Sequence, residues 1–196
     1  MLLYILTVDI LRLPLLLNKM SLKTSPGVHY HGADGVHVGY DSNSQSLSLY
    51  WCEAKMYKKF SKALKDCLNG VQTLLPGTGT LGEKKSTDLN LVMTNLDKNI
   101  TDPKEIELLA EFFDKDHPNS NRLKHSAICF IGFDADHYFK SEEVGHGELE
   151  KSIVSWDKCL TSELKKRPLL ENRHMHIFLM PMKSVDDFRK KFLEKI

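Results

Sequence analysis

Apolar and polar positions alternate twice in quick succession in the first third of this chain. Across residues 34–40 (DGVHVGY), Asp34, Val36, Val38 and Tyr40 fall on one face by the two-residue period of a strand. Residues 41–45 (DSNSQ) are turn material. The alternation resumes over residues 46–57 (SLSLYWCEAKMY), where Leu47, Leu49, Trp51, Glu53 and Lys55 share a face. Two such runs around a short polar break predict an antiparallel hairpin. The period then lengthens. Phe60, Leu64, Cys67, Val71 and Leu74 recur at helical spacing, with Lys58, Lys62, Lys65 and Asn69 on the opposite side.

Helices and strands alternate further along. Asp102, Pro103 and Glu105 form a helix start, with a capping carboxylate, a proline at the first position and an acid in the first turn. Ile106, Leu109 and Phe113 give that helix its inward face. Residues 125–133 (HSAICFIGF) read as a buried strand, and Leu149, Ile153, Trp156 and Leu160 as an amphipathic helix. Residues 173–182 (RHMHIFLMPM) form a second late strand. Ser184 and Asp187 then cap a last helix carrying Val185, Phe188 and Phe192. Residues 76–85 and 119–124 are expected loops. The order hairpin, helix, helix, strand, helix, strand, helix predicts an α/β fold: a mixed sheet with helices on its faces.

The chain has 196 residues, 41% of them hydrophobic and 27% charged. That suits one domain spanning residues 1–196, which at this length buries roughly 70% of the surface its unfolded form exposes. A formal net charge of +1 neither selects nor excludes a nucleic-acid partner. The four cysteines are isolated, without zinc-site spacing, and are expected to be reduced, which points to the cytoplasm. The apolar start (MLLYILTVDILRLPLLL) is interrupted by Asp9, Arg12 and Pro14 and falls short of the ~20 residues of a spanning helix. Residues 1–27 read as a core-packing segment or as the remnant of a longer amino-terminal region, and no membrane association is expected.

The chemistry gathers at the hairpin. Glu53 and Lys55 project from one strand face whose other members are apolar, where charge is costly unless paired or bound to a metal. Asp34 starts the partner strand. Two carboxylates brought together repel, and a hard divalent cation between them removes the repulsion. Magnesium (or manganese) suits Asp34, Glu53 and a backbone carbonyl such as that of Ala54. Such an ion polarises a phosphodiester and activates a bound water, while Lys55 supplies positive charge beside the developing phosphorane. The plain alternative is a surface ion pair, Glu53 with Lys55, on an edge strand. Lys58, Lys62 and Lys65 follow directly, either as a solvated helix face or as a strip tracking a DNA backbone.

At this point the wording becomes more specific than the pattern. HGADGVH (residues 31–37) and LYWCEAKMY (residues 49–57) closely resemble the DGVH and LYW-x-E-x-K motifs of the HamA-like family, the nuclease subunit of the Hachiman antiphage defence system. The resemblance implies a restriction-endonuclease-like sheet of the PD-(D/E)xK nuclease superfamily, metal-dependent cleavage of DNA, and a HamB-like helicase as partner. By the same analogy Glu53 and Lys55 match the family's E-x-K pair and Asp34 its upstream metal-binding aspartate. Family members usually carry a substantial region before the motif, whereas Asp34 lies near the start here. Cys52 stands where a small residue is expected, but its parity turns it away from Glu53.

Other candidates are weaker. His29, His31 and His37 lie near Asp34 in sequence, yet His37 faces away on a regular strand. His174 and His176 share a strand face without the second motif that two-histidine phosphoesterases need. Gly77, Gly79 and Gly82 match a dinucleotide spacing but follow a helix, so they read as loop. Two functions therefore compete, a magnesium-dependent endonuclease and a catalytically inactive nuclease-like module that binds DNA or a partner, with an RNA-directed nuclease as a weaker third.

Overall fold

The computed structural model describes residues 1–18, 33–75, 100–135 and 146–195. The predicted hairpin is present. Strands β2 (Gly35–Asp41) and β3 (Ser46–Tyr57) pair antiparallel, with Val36 opposite Trp51 and Val38 opposite Leu49. Asp41 builds the turn, accepting from Asn43 N at 3.0 Å and from Ser44 Oγ at 2.6 Å.

The apolar start supplies helix α1 (Leu2–Ile5), a π-turn (Leu6–Ile10) and strand β1 (Leu15–Asn18), which pairs antiparallel with β2. Leu3, Leu16 and Leu17 are buried, so this segment does pack into the core. Its strand was not anticipated, because three leucines in a row carry no alternation.

Helix α2 (Phe60–Leu74) follows β3 and lies across the sheet. Then come α3 (Pro103–Phe113), a 3-10 turn (Pro118–Arg122) and β4 (Leu123–Asp134). The expected polar break at 119–124 is thus this turn and the opening of β4. Asp102 caps α3 by accepting from Lys104 N at 2.9 Å. Leu109 and Phe112 are the buried residues of α3; Phe113, expected inside, is only half-buried. Helix α4 (His146–Lys165), the short α5 (Pro168–Glu171), β5 (Met175–Met182) and α6 (Val185–Leu193) complete the order. Trp156 and Leu160 of α4 pack on the core, whereas Ile153 is exposed. Ser184 Oγ caps α6 at Asp187 N, and Asp134 Oδ1 accepts from Val185 N at 2.7 Å.

The five strands lie in the order β1-β2-β3-β4-β5. The β1, β2 and β3 pairings are antiparallel, whereas β3–β4 and β4–β5 are parallel. Parallel neighbours need long crossovers, usually helical. Here α2 and α3 lie between β3 and β4, and α4 and α5 between β4 and β5. The protein is therefore α/β, a mixed sheet flanked by helices.

Both faces of the sheet are covered. On one, Val36, Leu49, Trp51, Cys129 and Ile131 pack with Ala63, Leu64, Cys67, Leu68 and Val71 of α2. Each large side chain so buried contributes about 1.5–3 kcal/mol relative to exposure. On the other face, Cys52, Ile128 and Phe130 meet Leu3, Met182 and Val185. Strand β3 is central, which overturns the edge-strand alternative for Glu53 and Lys55. Residues 76–85, with Gly77, Gly79 and Gly82, lie outside the described residues, as do His29 and His31.

Candidate active site

Strand β3 carries its acid into the covered interior because the two-residue period is kept past Trp51. Glu53 follows Leu49 and Trp51 on the α2 side and is 7% exposed. Asp34 precedes β2 by one residue and is bonded to the two neighbours of Glu53. Its N–H donates to the Cys52 carbonyl at 2.9 Å, and its Oδ2 accepts the Ala54 N–H at 2.9 Å. The hairpin thus brings the two carboxylate-bearing residues together, as the sequence pattern predicts.

Lys55, two residues along the same face, reaches back to bond and ion-pair with Glu53 Oε1. Burial disfavours the ammonium, but the hydrogen bond from Lys55 to Glu53 and the charges of Glu53 and Asp34 outweigh it, holding the amine above its ordinary pKa. Lys55 is therefore a cation at neutral pH.

Helix α2 roofs this cluster. Cys67 Sγ lies 3.5 Å from the Glu53 carbonyl oxygen. A Cβ placed on Gly70 would stand 2.7 Å from Glu53 Oε1 and 2.8 Å from Cδ, closer than real Cβ atoms approach. Glycine inside a helix costs about 1 kcal/mol relative to alanine. Its presence at position 70 matches the need to leave room for the carboxylate beneath. Next to it, Asn69 Oδ1 accepts from Arg167 Nε at 3.1 Å and Nη2 at 2.8 Å. Arg167 is buried, and its Nη1 donates to the Glu163 carbonyl and to Glu163 Oε2, both at 2.7 Å. This clamp ties α2 to the end of α4. Sequence reasoning missed both features. An isolated glycine within an apolar helical stripe was the available signal for Gly70; nothing local marked Arg167.

The lysines do not act alike. Lys58 precedes α2 rather than lying on it, and pairs with Asp186 at 2.8 Å. Lys62 sits 5.0 Å from the centre of the Tyr57 ring. Lys65 is exposed and lines a polar groove with Asn69, Gln72, Glu163, Lys166 and Arg167. His37 is buried on the other face, its Nδ1 2.9 Å from the Leu13 carbonyl oxygen, so it is not beside the carboxylates. His174 and His176 pack edge to face on each other at 4.7 Å, and their rings lie 6.1 and 5.9 Å from that of Tyr50, as strand packing predicts. Cys52 belongs to the opposite core cluster, as its parity requires.

Among the described residues, no group of three or more His, Cys, Asp or Glu side chains could hold a metal ion. The donor set around Glu53 is smaller: two carboxylates and the Ala54 main chain. Because a strand residue turns its N–H and C=O to the same edge, the Ala54 carbonyl faces the Asp34 side with its amide. Two carboxylates, a carbonyl oxygen and retained waters fit magnesium, which rarely takes an all-protein cage. They do not fit a soft or histidine-seeking metal.

No described helix is long and apolar enough to cross a membrane. A family model described as HamA matches residues 1–196, the whole chain. No curated protein matches it.

Proposed function

The chain belongs to the HamA family and is a Hachiman antiphage defence protein, and from that premise we propose that it is a metal-dependent DNA endonuclease. In this reading residues 1–196 act as one nuclease domain in the cytoplasm, beside a HamB-like helicase. The observation that carries it is the convergence on Glu53: a buried acid on the central strand, Asp34 bonded to both its neighbours, and Lys55 on its carboxylate.

Asp34, Glu53 and the Ala54 carbonyl would hold magnesium (or manganese), which when bound polarises the scissile phosphate and lowers the pKa of a water. The chain's own residues do the rest. Asp34 is oriented by the Ala54 amide, so its carboxylate is fixed before substrate arrives. Lys55 keeps its proton at neutral pH and offers positive charge to the attacking water and to the phosphate oxygens. The apolar neighbours Trp51 and Leu49 exclude bulk water from the strand beneath, which strengthens each of these interactions. Lys62 and Lys65, and Lys58 where its pairing with Asp186 yields, would contact the DNA backbone.

One observation favours a second reading, a nuclease-like module without activity: Glu53 already has a counter-charge in Lys55. A single experiment separates the two. Supercoiled plasmid is incubated with the protein and magnesium or manganese, then with EDTA, with and without a helicase partner, and alongside RNA of matched sequence. Metal-dependent nicking that Glu53→Ala and Lys55→Ala each abolish supports the endonuclease. Intact plasmid under every condition leaves the binding module.

A further inference from the structure

We infer that Gly70 is a positioning residue for the Glu53 carboxylate: the missing side chain on α2 sets how high that carboxylate rises toward the cation. This rests on the metal-dependent reading of the same cluster. Three observations lead to it. A Cβ at position 70 would overlap Glu53 Oε1, Cδ and Cγ, at 2.7, 2.8 and 3.1 Å, so the contact involves the carboxylate end as well as the stem. The helix cannot readily lift away, because Val71, Cys67 and Leu68 on the same turns are fully buried in the core. The neighbouring Asn69 is clamped by two bonds from the buried Arg167. A methyl group there would therefore push the carboxylate rather than the helix. The push would displace the donor oxygen from the position it now holds beneath α2.

Shortening the acid should ease the overlap. Glu53→Asp removes the two atoms that stand nearest the added methyl group and leaves Cγ, at 3.1 Å, a contact that a shift of a few tenths of an ångström relieves. The expected pattern is non-additive, as for residues in direct contact.

The experiment uses the full chain as wild type, Gly70→Ala, Glu53→Asp and the double variant. It reads the magnesium or manganese concentration for half-maximal plasmid nicking and, separately, the rise in melting temperature that each cation produces. Gly70→Ala should raise the metal requirement about 10-fold or more, the scale seen when a group supporting a metal ligand is changed. It should shrink the metal-induced rise in melting temperature. In the Glu53→Asp background it should change both less. A purely structural glycine would lower the melting temperature without metal and leave the metal dependence unmoved, which overturns the proposal. Equal effects of Gly70→Ala in both backgrounds overturn it too. If Gly70→Ala does not fold, relief of the overlap requires the double variant to fold, and a double variant that also fails overturns the proposal. A wild type that responds to metal but does not nick plasmid sinks the nuclease reading and leaves the positioning role standing. A wild type without either response sinks both.

Discussion

Asp34 Oδ2 accepts the Ala54 amide proton at 2.9 Å, so a carboxylate stands in for the next rung of the β2–β3 ladder. The bond fixes the acid and closes an otherwise open strand end. Replacing Asp34 separates these roles. Asp34→Asn retains an oxygen acceptor and should lose less than about 1 kcal/mol of stability; Asp34→Ala leaves the amide without this acceptor and should lose about 1.5 kcal/mol or more. Both should abolish the metal-induced rise in melting temperature. Urea unfolding with and without magnesium measures both, and equal stability losses would refute the distinction.

His37 gives the protein a pH dependence. Burial depresses its pKa below 6.5, only partly offset by the backbone carbonyls of Leu13 and Pro14. A histidine with a lowered folded pKa binds fewer protons folded than unfolded. Its stability contribution is therefore fully present above pH 6.5 and is lost as pH falls through that value toward the folded pKa. His176 is depressed in the same direction, by burial and by His174. Urea midpoints between pH 7.5 and 5 should fall for wild type and fall less for His37→Asn. An identical slope for the two would remove His37 from the explanation.

Arg167 is a buried charge whose partners hold α2 to the end of α4. Arg167→Ala should cost roughly 2 kcal/mol or more, the scale of hydrogen bonds to a charged donor lost from a buried position. Asn69→Ala should cost less, and the double variant should fall short of the sum. Thermal unfolding of the four proteins gives the coupling; simple additivity would mean that the two side chains do not act together.

DNA binding should report the different states of the three lysines. With calcium in place of magnesium, anisotropy of a labelled duplex against salt gives a slope that falls by about 0.9 for each phosphate contact removed. Lys65→Ala and Lys62→Ala should each lower the slope by about that amount. Lys58→Ala should lower it less, because its ammonium already faces Asp186. An unchanged slope in all three would place the DNA elsewhere.

The hairpin and the placing of its charged residues were legible because local rules act there without competition. The period of two, the DSNSQ turn and the E-x-K spacing together position Glu53 and Lys55, and the observed strands agree with the expected ones to within a residue. The caps at Asp102 and Ser184 were legible for the same reason. The less legible parts depend on tertiary packing. Which of Phe112 and Phe113 turns inward is decided by what α3 rests on. The pairing of β1 depends on a sheet edge that residues 15–18 cannot announce. Arg167 and Asn69 lie 98 positions apart, and no local pattern links them. The resemblance to the HamA-like family, carried by two short stretches, extends in the family match over the whole chain.

Sulfur offers a readout of the same interior. Burial and the nearby Asp34 and Glu53 carboxylates raise the Cys52 thiol, and the hydrogen bond with Cys129 together with burial raises Cys67, so both stay protonated far above their usual range. Only the thiolate attacks an alkylating reagent readily. Cys129 is buried as well, which leaves the half-buried Cys159 as the accessible sulfur of the four. Native protein should therefore take up one label quickly and three more only as the sheet opens. The mass of the labelled chain then counts how much of the floor around Glu53 has come apart.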